Sequence, residues 1–279
     1  DSHTYFLPPV RPFDIDYGFE VRMVGEAPLV IDVVKGSDAE ARGLGLGDRV
    51  ISVEGTPVRR ENFAALSYAL NMALPRRRLS LSVQTDDEPS RLLSVEASVE
   101  PRRKKIDITE WLDEVTSRMR KHPQYAWRYW TYEREKVVVA RLYSFMVTDE
   151  LVNELMAKVH DAKALILDLR GNPGGSIEAL QTVAGAFFEQ EIELGTLKER
   201  KSTKPLWSRR PKSKRLFTGT LVLLVDSASV SSAEILARVV QIEKRGSIVG
   251  DRTAGGVMVA EMRSFIAGNQ IQFILYGAS

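Results

Sequence analysis

The sequence predicts an α/β domain built on a largely parallel sheet, preceded by a smaller mixed α+β module. Three observations carry this. Beyond Ile108, strands that are apolar throughout, such as KALILDLR (163–170) and TLVLLVD (220–226), alternate with helical patterns. A parallel sheet covered on both faces produces that pattern. Before Val99 the strands instead alternate apolar with polar residues and are joined by Gly-containing turns. Between the two lies the charge-rich EPRRKKID (100–107), which reads as a solvated linker or exposed edge.

In the first module, YGFEVRMVGEAPLVIDVV (17–34) has two alternating runs around a Gly-containing turn, a hairpin pattern. SDAEARGLGLGDRVISVEG (37–55) reads as a short helix capped by Ser37, a Gly-rich stop and a strand ending at Gly55. Phe63, Leu66, Leu70 and Leu74 recur at helical spacing. LSLSVQT (79–85) and LLSVEASV (92–99) alternate like two antiparallel strands.

In the second module, KVVVARLYSF (136–145) is a buried strand, and Thr148 N-caps a helix over TDELVNELMAKVHDA (148–162). Helices follow at 176–188 and 231–244, with a short strand in SIVGDR (247–252). Gly268-Asn269 joins two final strands in a hairpin. WRYWTYER (127–134) reads as a strand approach packed in the core or an interface. The basic LKERKSTKPLWSRRPKSKRL (197–216) has one Trp, and an exposed loop explains it better than a nucleic-acid surface does.

Composition narrows function. The 279 residues are 44% hydrophobic and 27% charged, as in a globular protein with a sizeable core. A formal net charge of +2 gives no general attraction to nucleic acid or membrane. Without cysteine there is no thiol catalysis, no disulfide and no Cys-ligated metal, and no metal or cofactor is expected. No apolar run approaches the ~20 residues of a spanning helix. The missing start Met and the stop at ILYGAS read as cut ends.

Chemistry in α/β sheets gathers at the loops leaving the carboxyl ends of the strands. One such loop is LDLRGNPGGS (167–176). Gly174-Gly175 fits a phosphate cradle, a backbone oxyanion hole or an ordinary tight turn, and the absence of a following Gly-Lys-Ser/Thr argues against a P-loop. The other is DSASVSSAEIL (226–236). Ser231 and Glu234 form Ser-x-x-Glu before an apolar helix, which this context alone explains best as a capping box; the alternative is a nucleophile at a helix N-terminus that would stabilise developing negative charge.

KALILDLRGNPGG, LVLLVDSASVSSAEILARVVQ and SIVGDRTAGG together, in that order, resemble the carboxyl-terminal processing proteases and their tricorn-core-like relatives. YGFEV and GLGLGDRVISVEGTPV resemble the carboxylate-binding loop and the following segment of a PDZ domain. The resemblance implies a ClpP/crotonase-like core over 105–279, a PDZ-like domain over 15–104, and an N-terminal segment, 1–14, belonging to the protease core. It implies Ser231 as nucleophile, Glu234 as a supporting residue, and an oxyanion hole from Ser232 and the Gly174/Gly175 pair, with Gly175 favoured. Gly18 and Phe19 would supply the PDZ carboxylate loop, with Val21 and Met23 on the pairing strand. The implied function is a serine endopeptidase acting through an acyl-enzyme on protein or peptide substrates, with the PDZ-like domain recruiting substrate C-termini, exported to a periplasmic or cell-envelope compartment.

One departure matters. The lysine-dependent members carry their base in a T-x-G-K-G stretch, where this chain has TAGGV and glycine, Gly256, at the lysine position. Glycine accepts no proton, so either another base acts or the chain is an inactive relative that binds peptides. Of three histidines, His160 sits late in a helix and His122 lies in a polar RKHPQ stretch. His3, in DSHTYF, resembles the S-H segment that carries the catalytic histidine of the tricorn-like members. It is the expected base. The acid of that triad comes, in those members, from a segment after the final hairpin.

Overall fold

Alternating polar and apolar residues need one buried face, and the first module provides it. The computed structural model describes residues 5–7, 13–101, 127–198, 202–212, 216–257, 259–267 and 270–278. It divides into two compact units, 1–106 with 262–276, and 107–261 with 277–279. The first break lies after residue 106, and the strands near the C-terminus group with the first unit. The order of pairing explains this: β1 (Tyr5–Leu7) lies antiparallel to β18 (Gln270–Ala278), which neighbours β17 (Val259–Ala267). The expected final hairpin is therefore present, its turn residues lying outside those described.

In the first unit, β2 (Phe13–Asp16) pairs with β9 (Ser98–Pro101). The main sheet has the order β3 (Phe19–Val24), β4 (Ala27–Val33), β5 (Arg49–Val53), β7 (Arg78–Gln84), β8 (Arg91–Glu96), with β6 (Thr56–Pro57) on β5. Val30, Val50, Leu79, Leu81, Val83 and Val95 build its core. Helix α1 (Asp38–Ala41) starts at Ser37, whose hydroxyl accepts the Glu40 N–H at 3.2 Å, the predicted cap. Helix α2 (Arg60–Tyr68) follows β6. Within the main sheet β3 pairs with β4 alone among the described residues, and no described strand lies on its other edge.

The second unit carries a five-stranded sheet in the order β10 (Trp127–Tyr132), β11 (Val137–Leu142), β12 (Ala164–Asp168), β15 (Thr220–Val225), β16 (Ser247–Gly250). The last four strands are parallel, and β10 is an antiparallel edge. Between β12 and β15, β13 (Glu193–Lys198) and β14 (Thr203–Trp207) make a separate hairpin. The basic stretch is thus partly strand, tied down by Arg209 Nη2 on Asp149 Oδ1 at 2.9 Å. Helices α3 (Asp149–Val159), α4 (Ile177–Gly185) and α5 (Ser232–Ile242) complete the unit. Leu165, Leu167, Leu221, Leu223, Leu180 and Val240 form one continuous core.

Two local expectations change. Thr148 stands at the N-cap of α3, but its hydroxyl makes no cap bond and has no hydrogen-bond partner among the described residues. In β10 only Trp127 is buried, while Trp130 and Tyr132 are 50% and 57% exposed, because an edge strand on an otherwise parallel sheet has one uncovered face. Among the described residues no helix is long and apolar enough to cross a membrane.

Leu167 is fully buried on a central strand. Leu167→Ala should lower unfolding stability by about 2–5 kcal/mol through lost burial and a residual cavity. Denaturant titration followed by circular dichroism measures it, with an unchanged m-value expected.

Candidate functional site

Because β12 and β15 are parallel and in register, with Asp168 opposite Leu224, their two following loops leave the same end of the sheet. Side chains lace these loops together. Asp226 Oδ1 accepts from Gly171 N at 2.9 Å and Ala228 N at 3.0 Å. Ser229, fully buried, donates its hydroxyl to Leu169 O at 2.8 Å and accepts from Asp226 N at 3.0 Å. Asn172, also fully buried, accepts Gly174 N–H at 2.8 Å and donates to Leu142 O at 2.9 Å through its side chain, while its carbonyl accepts Val230 N–H at 2.9 Å.

This lacing holds Ser231 in an unusual conformation. Its φ of 55° and ψ of −117° lie where a residue with a Cβ is strained, and only surrounding structure keeps it there. The serine stands directly before α5, at its N-cap. Its own N–H donates to Glu234 Oε2 at 2.9 Å, the carboxylate half of the predicted capping box. The Glu234 N–H reaches the Ser231 backbone carbonyl at 2.9 Å.

Gly174 lies against the serine. A Cβ on Gly174 would stand 2.7 Å from Ser231 Cβ and 3.1 Å from Ser232 N, so only glycine fits. Its φ of 88° independently favours glycine. The Gly174 carbonyl accepts from Phe145 N at 2.7 Å and Ser144 Oγ at 2.9 Å, which fixes the loop to the end of β11. Its N–H is held by Asn172, so Gly174 is not available as an oxyanion donor and that expectation is corrected. Gly175 N–H, by contrast, has no acceptor among the described residues. Ser232 Oγ donates to the Gly175 carbonyl at 3.2 Å, bringing the two expected donors, Gly175 and Ser232, side by side.

Glu234 is 6% exposed and holds more than the serine. Oε1 accepts Gly255 N–H at 2.7 Å and Oε2 accepts Gly256 N–H at 2.8 Å. The glycine at the expected lysine position is thus bound through its backbone to the residue that holds the serine. Among the described residues no histidine or lysine hydrogen-bonds Ser231. His160 ends α3 just before β12 begins, at the opposite end of the sheet from the serine, with Nε2 3.1 Å from Asp161. His3 and His122 lie outside the described residues.

Behind the glycine loop, Asp168 meets Arg170 through two 2.9 Å side-chain bonds and accepts its N–H at 3.0 Å. Burial pushes the Asp168 carboxyl up, but the Arg170 hydrogen bonds and charge, with Arg141 behind them, outweigh it and hold the carboxyl below its ordinary value.

In the first unit, a cavity of about 260 Å³ opens between β3 and α2, lined by Phe19, Val21, Val58, Phe63, Leu66 and Leu70 among others. Of the four expected peptide-binding residues, Phe19 and Val21 line it. Met23 does not; it is 2% exposed, in the interior. Gly18 has a φ of 73°, and its N–H donates to Asp16 Oδ1 at 2.8 Å. That amide is therefore already engaged by the chain's own carboxylate.

The family model for peptidase family S41 matches residues 136–276, half of the chain and nearly all of the strand–loop–helix framework just described. The chain belongs to peptidase family S41. The S41 chain is 24% identical over 249 residues to the carboxy-terminal processing protease CtpA of Bacillus subtilis (strain 168), covering 88% of this chain. It spans about half the length of that relative, 47%. Among solved structures it resembles mature CPAF complexed with lactacystin, with a TM-score of 0.61 at 13% identity, over 99% of this chain and 76% of that one. It also resembles the photosystem II D1 C-terminal processing protease, with a TM-score of 0.56 at 18% identity, over 100% and 72%. These likenesses establish a shared fold.

Sequence reasoning passed over Asn172, Asp226, Ser229 and Ser144. Asn172, next to Pro173, and Asp226, at a strand end, are turn-forming residue types in turn-forming positions, which was a usable signal. Ser229 and Ser144 gave none, since a hydroxyl's partner depends on which loop lies beside it.

Two outcomes follow for this S41 site. Glu234→Ala leaves the N–H groups of Ser231, Gly255 and Gly256 without their acceptor and should cost about 3 kcal/mol or more of stability. Thermal unfolding tests this, and Glu234→Gln should recover part of the loss. For Asp168, whose carboxyl is held low in the fold, the stabilisation is present above the unfolded value of about 3.9 and is lost as pH falls through the lowered folded value. Arg170→Gln should therefore move the acid-unfolding midpoint to higher pH. The loss at neutral pH should be about 1 kcal/mol or less, because the guanidinium is half exposed and screened. Fluorescence-monitored pH titration at fixed ionic strength reads both.

Proposed function

We propose that this chain is the substrate-recruiting and nucleophile-bearing part of a serine endopeptidase. The observation that carries the reading is the strained Ser231 backbone, pinned by Glu234 and abutted by Gly174 at the start of α5. Such strain is maintained where it aims a side chain for reaction. Ser231 Oγ attacks the scissile carbonyl carbon while the base takes its proton. The N–H groups of Ser232 and Gly175 receive the developing oxyanion. Collapse breaks the C–N bond, the base returns the proton to the leaving amine, and water then releases the acyl group by the same route. Glu234 positions the serine and the 255–256 backbone without taking part in proton transfer.

The base in this reading is His3. Its support is that Gly256 has no side chain to act and that His160 lies at the other end of the sheet. The groove between β3 and α2 recruits a polypeptide as an added strand on the open β3 edge, with alternate side chains in its apolar lining. The family resemblance extends the reading to an exported protein. No step calls for a metal or cofactor.

A second reading has its own support: the Gly256 amide bound to Glu234 closes the lysine route, as in an inactive relative that only binds peptides. A fluorophosphonate probe on the full chain separates the two. Labelling of Ser231, abolished in Ser231→Ala and reduced about 100-fold or more in His3→Ala, is expected. Labelling untouched by His3→Ala would reject His3, and none under any condition would favour the inactive reading.

A further inference from the structure

Gly18 stands between Tyr17 and Phe19, two residues of the groove lining, and its backbone is held by several bonds. The Gly18 carbonyl accepts Val34 N–H at 2.8 Å, and Ser37 Oγ approaches it at 3.4 Å. This bonding makes Phe19 and Val33 a non-hydrogen-bonded pair, so the Phe19 N–H points to the open edge of β3. A φ of 73° and the close Ser37 side chain keep Gly18 in place. Its N–H is taken by the Asp16 carboxylate at 2.8 Å, from the exposed end of β2. Among the described residues no cation pairs with Asp16.

A ligand's terminal carboxylate seeking that amide would have to displace the Asp16 side chain and then lie beside it. Two like charges at contact distance disfavour each other. A chain segment without a terminal charge meets no such conflict. It needs only the β3 edge, where the Phe19 N–H is presented, and the apolar lining from Phe19, Val21, Val58, Phe63 and Leu66. We propose that Asp16 makes this groove select extended apolar segments lacking a terminal carboxylate, so that it takes internal stretches of a polypeptide in preference to free C-termini. This rests on the groove being a peptide site, as read above.

The test uses the full chain carrying Ser231→Ala and one fluorescein-labelled apolar hexapeptide, prepared as the free acid and as the C-terminal amide. Fluorescence anisotropy should show the amide binding at least as tightly as the acid. Asp16→Asn keeps an acceptor for Gly18 but removes the charge, and should tighten the acid about tenfold with little change for the amide. Asp16→Ala also frees the Gly18 N–H and should favour the acid at least as much. An unsubstituted Asp16 protein that prefers the acid, or an acid-to-amide ratio identical in all three proteins, overturns the inference while leaving the groove a peptide site. Binding of neither peptide by any of the three, with unchanged thermal unfolding, overturns the groove reading itself.

Discussion

One carboxylate holds together the loops at one end of the second unit's sheet. Glu234 accepts the N–H groups of Ser231, Gly255 and Gly256, and so joins the turn before α5 to the loop after β16. Ser231 sits at a backbone angle that a residue with a Cβ does not hold unaided, and this grip is part of what keeps it there. Placing the carboxylate in the first turn of a helix also suits its charge, since the N-terminal end of the dipole favours a negative group. A capping box is therefore compatible with a strained serine turn at the same Ser-x-x-Glu. The capping carboxylate is the device that holds the turn.

The opposite wall is set by the absence of side chains. Gly174 packs against Ser231 because a Cβ would overlap it, and its carbonyl is fastened to the segment after β11 by Phe145 and Ser144. Asn172 occupies the Gly174 N–H and supports the Val230 N–H. Within a Gly-Gly pair the first residue thus provides fit and anchoring, and the second keeps its N–H without an acceptor among the described residues. The division of labour follows from hydrogen-bond accounting: a buried asparagine with donors and an acceptor must place all of them, and in doing so it fixes which amide remains.

In both units a side-chain carboxylate meets backbone amides, with different chemical results. Glu234 is buried and its bonds are structural. Asp16 is exposed, and its bond to Gly18 lies next in the chain to Phe19, which lines the groove. The same donor–acceptor pairing is a buried clamp in one place and an exposed turn bond in the other.

Much of this was legible in the residues. Apolar strands between helical patterns gave the parallel sheet, since a strand buried on both faces can carry few polar side chains. The order of the three motifs pointed to Ser231, Glu234 and the glycine pair, and TAGGV showed that a lysine base was missing. These are local facts: periodicity, a cap pattern, a residue type at a position. The sequence could not show that Asn172 reaches Leu142 O and Val230 N–H, that Glu234 takes the Gly255 and Gly256 N–H groups, that Met23 turns into the interior, or that β10 leaves Tyr129, Trp130 and Tyr132 exposed. Each depends on which backbone groups remain unpaired, or which faces remain uncovered, once distant segments have packed. Hydrogen-bond partners across long separations are chosen by that packing, so only the tertiary structure decided them.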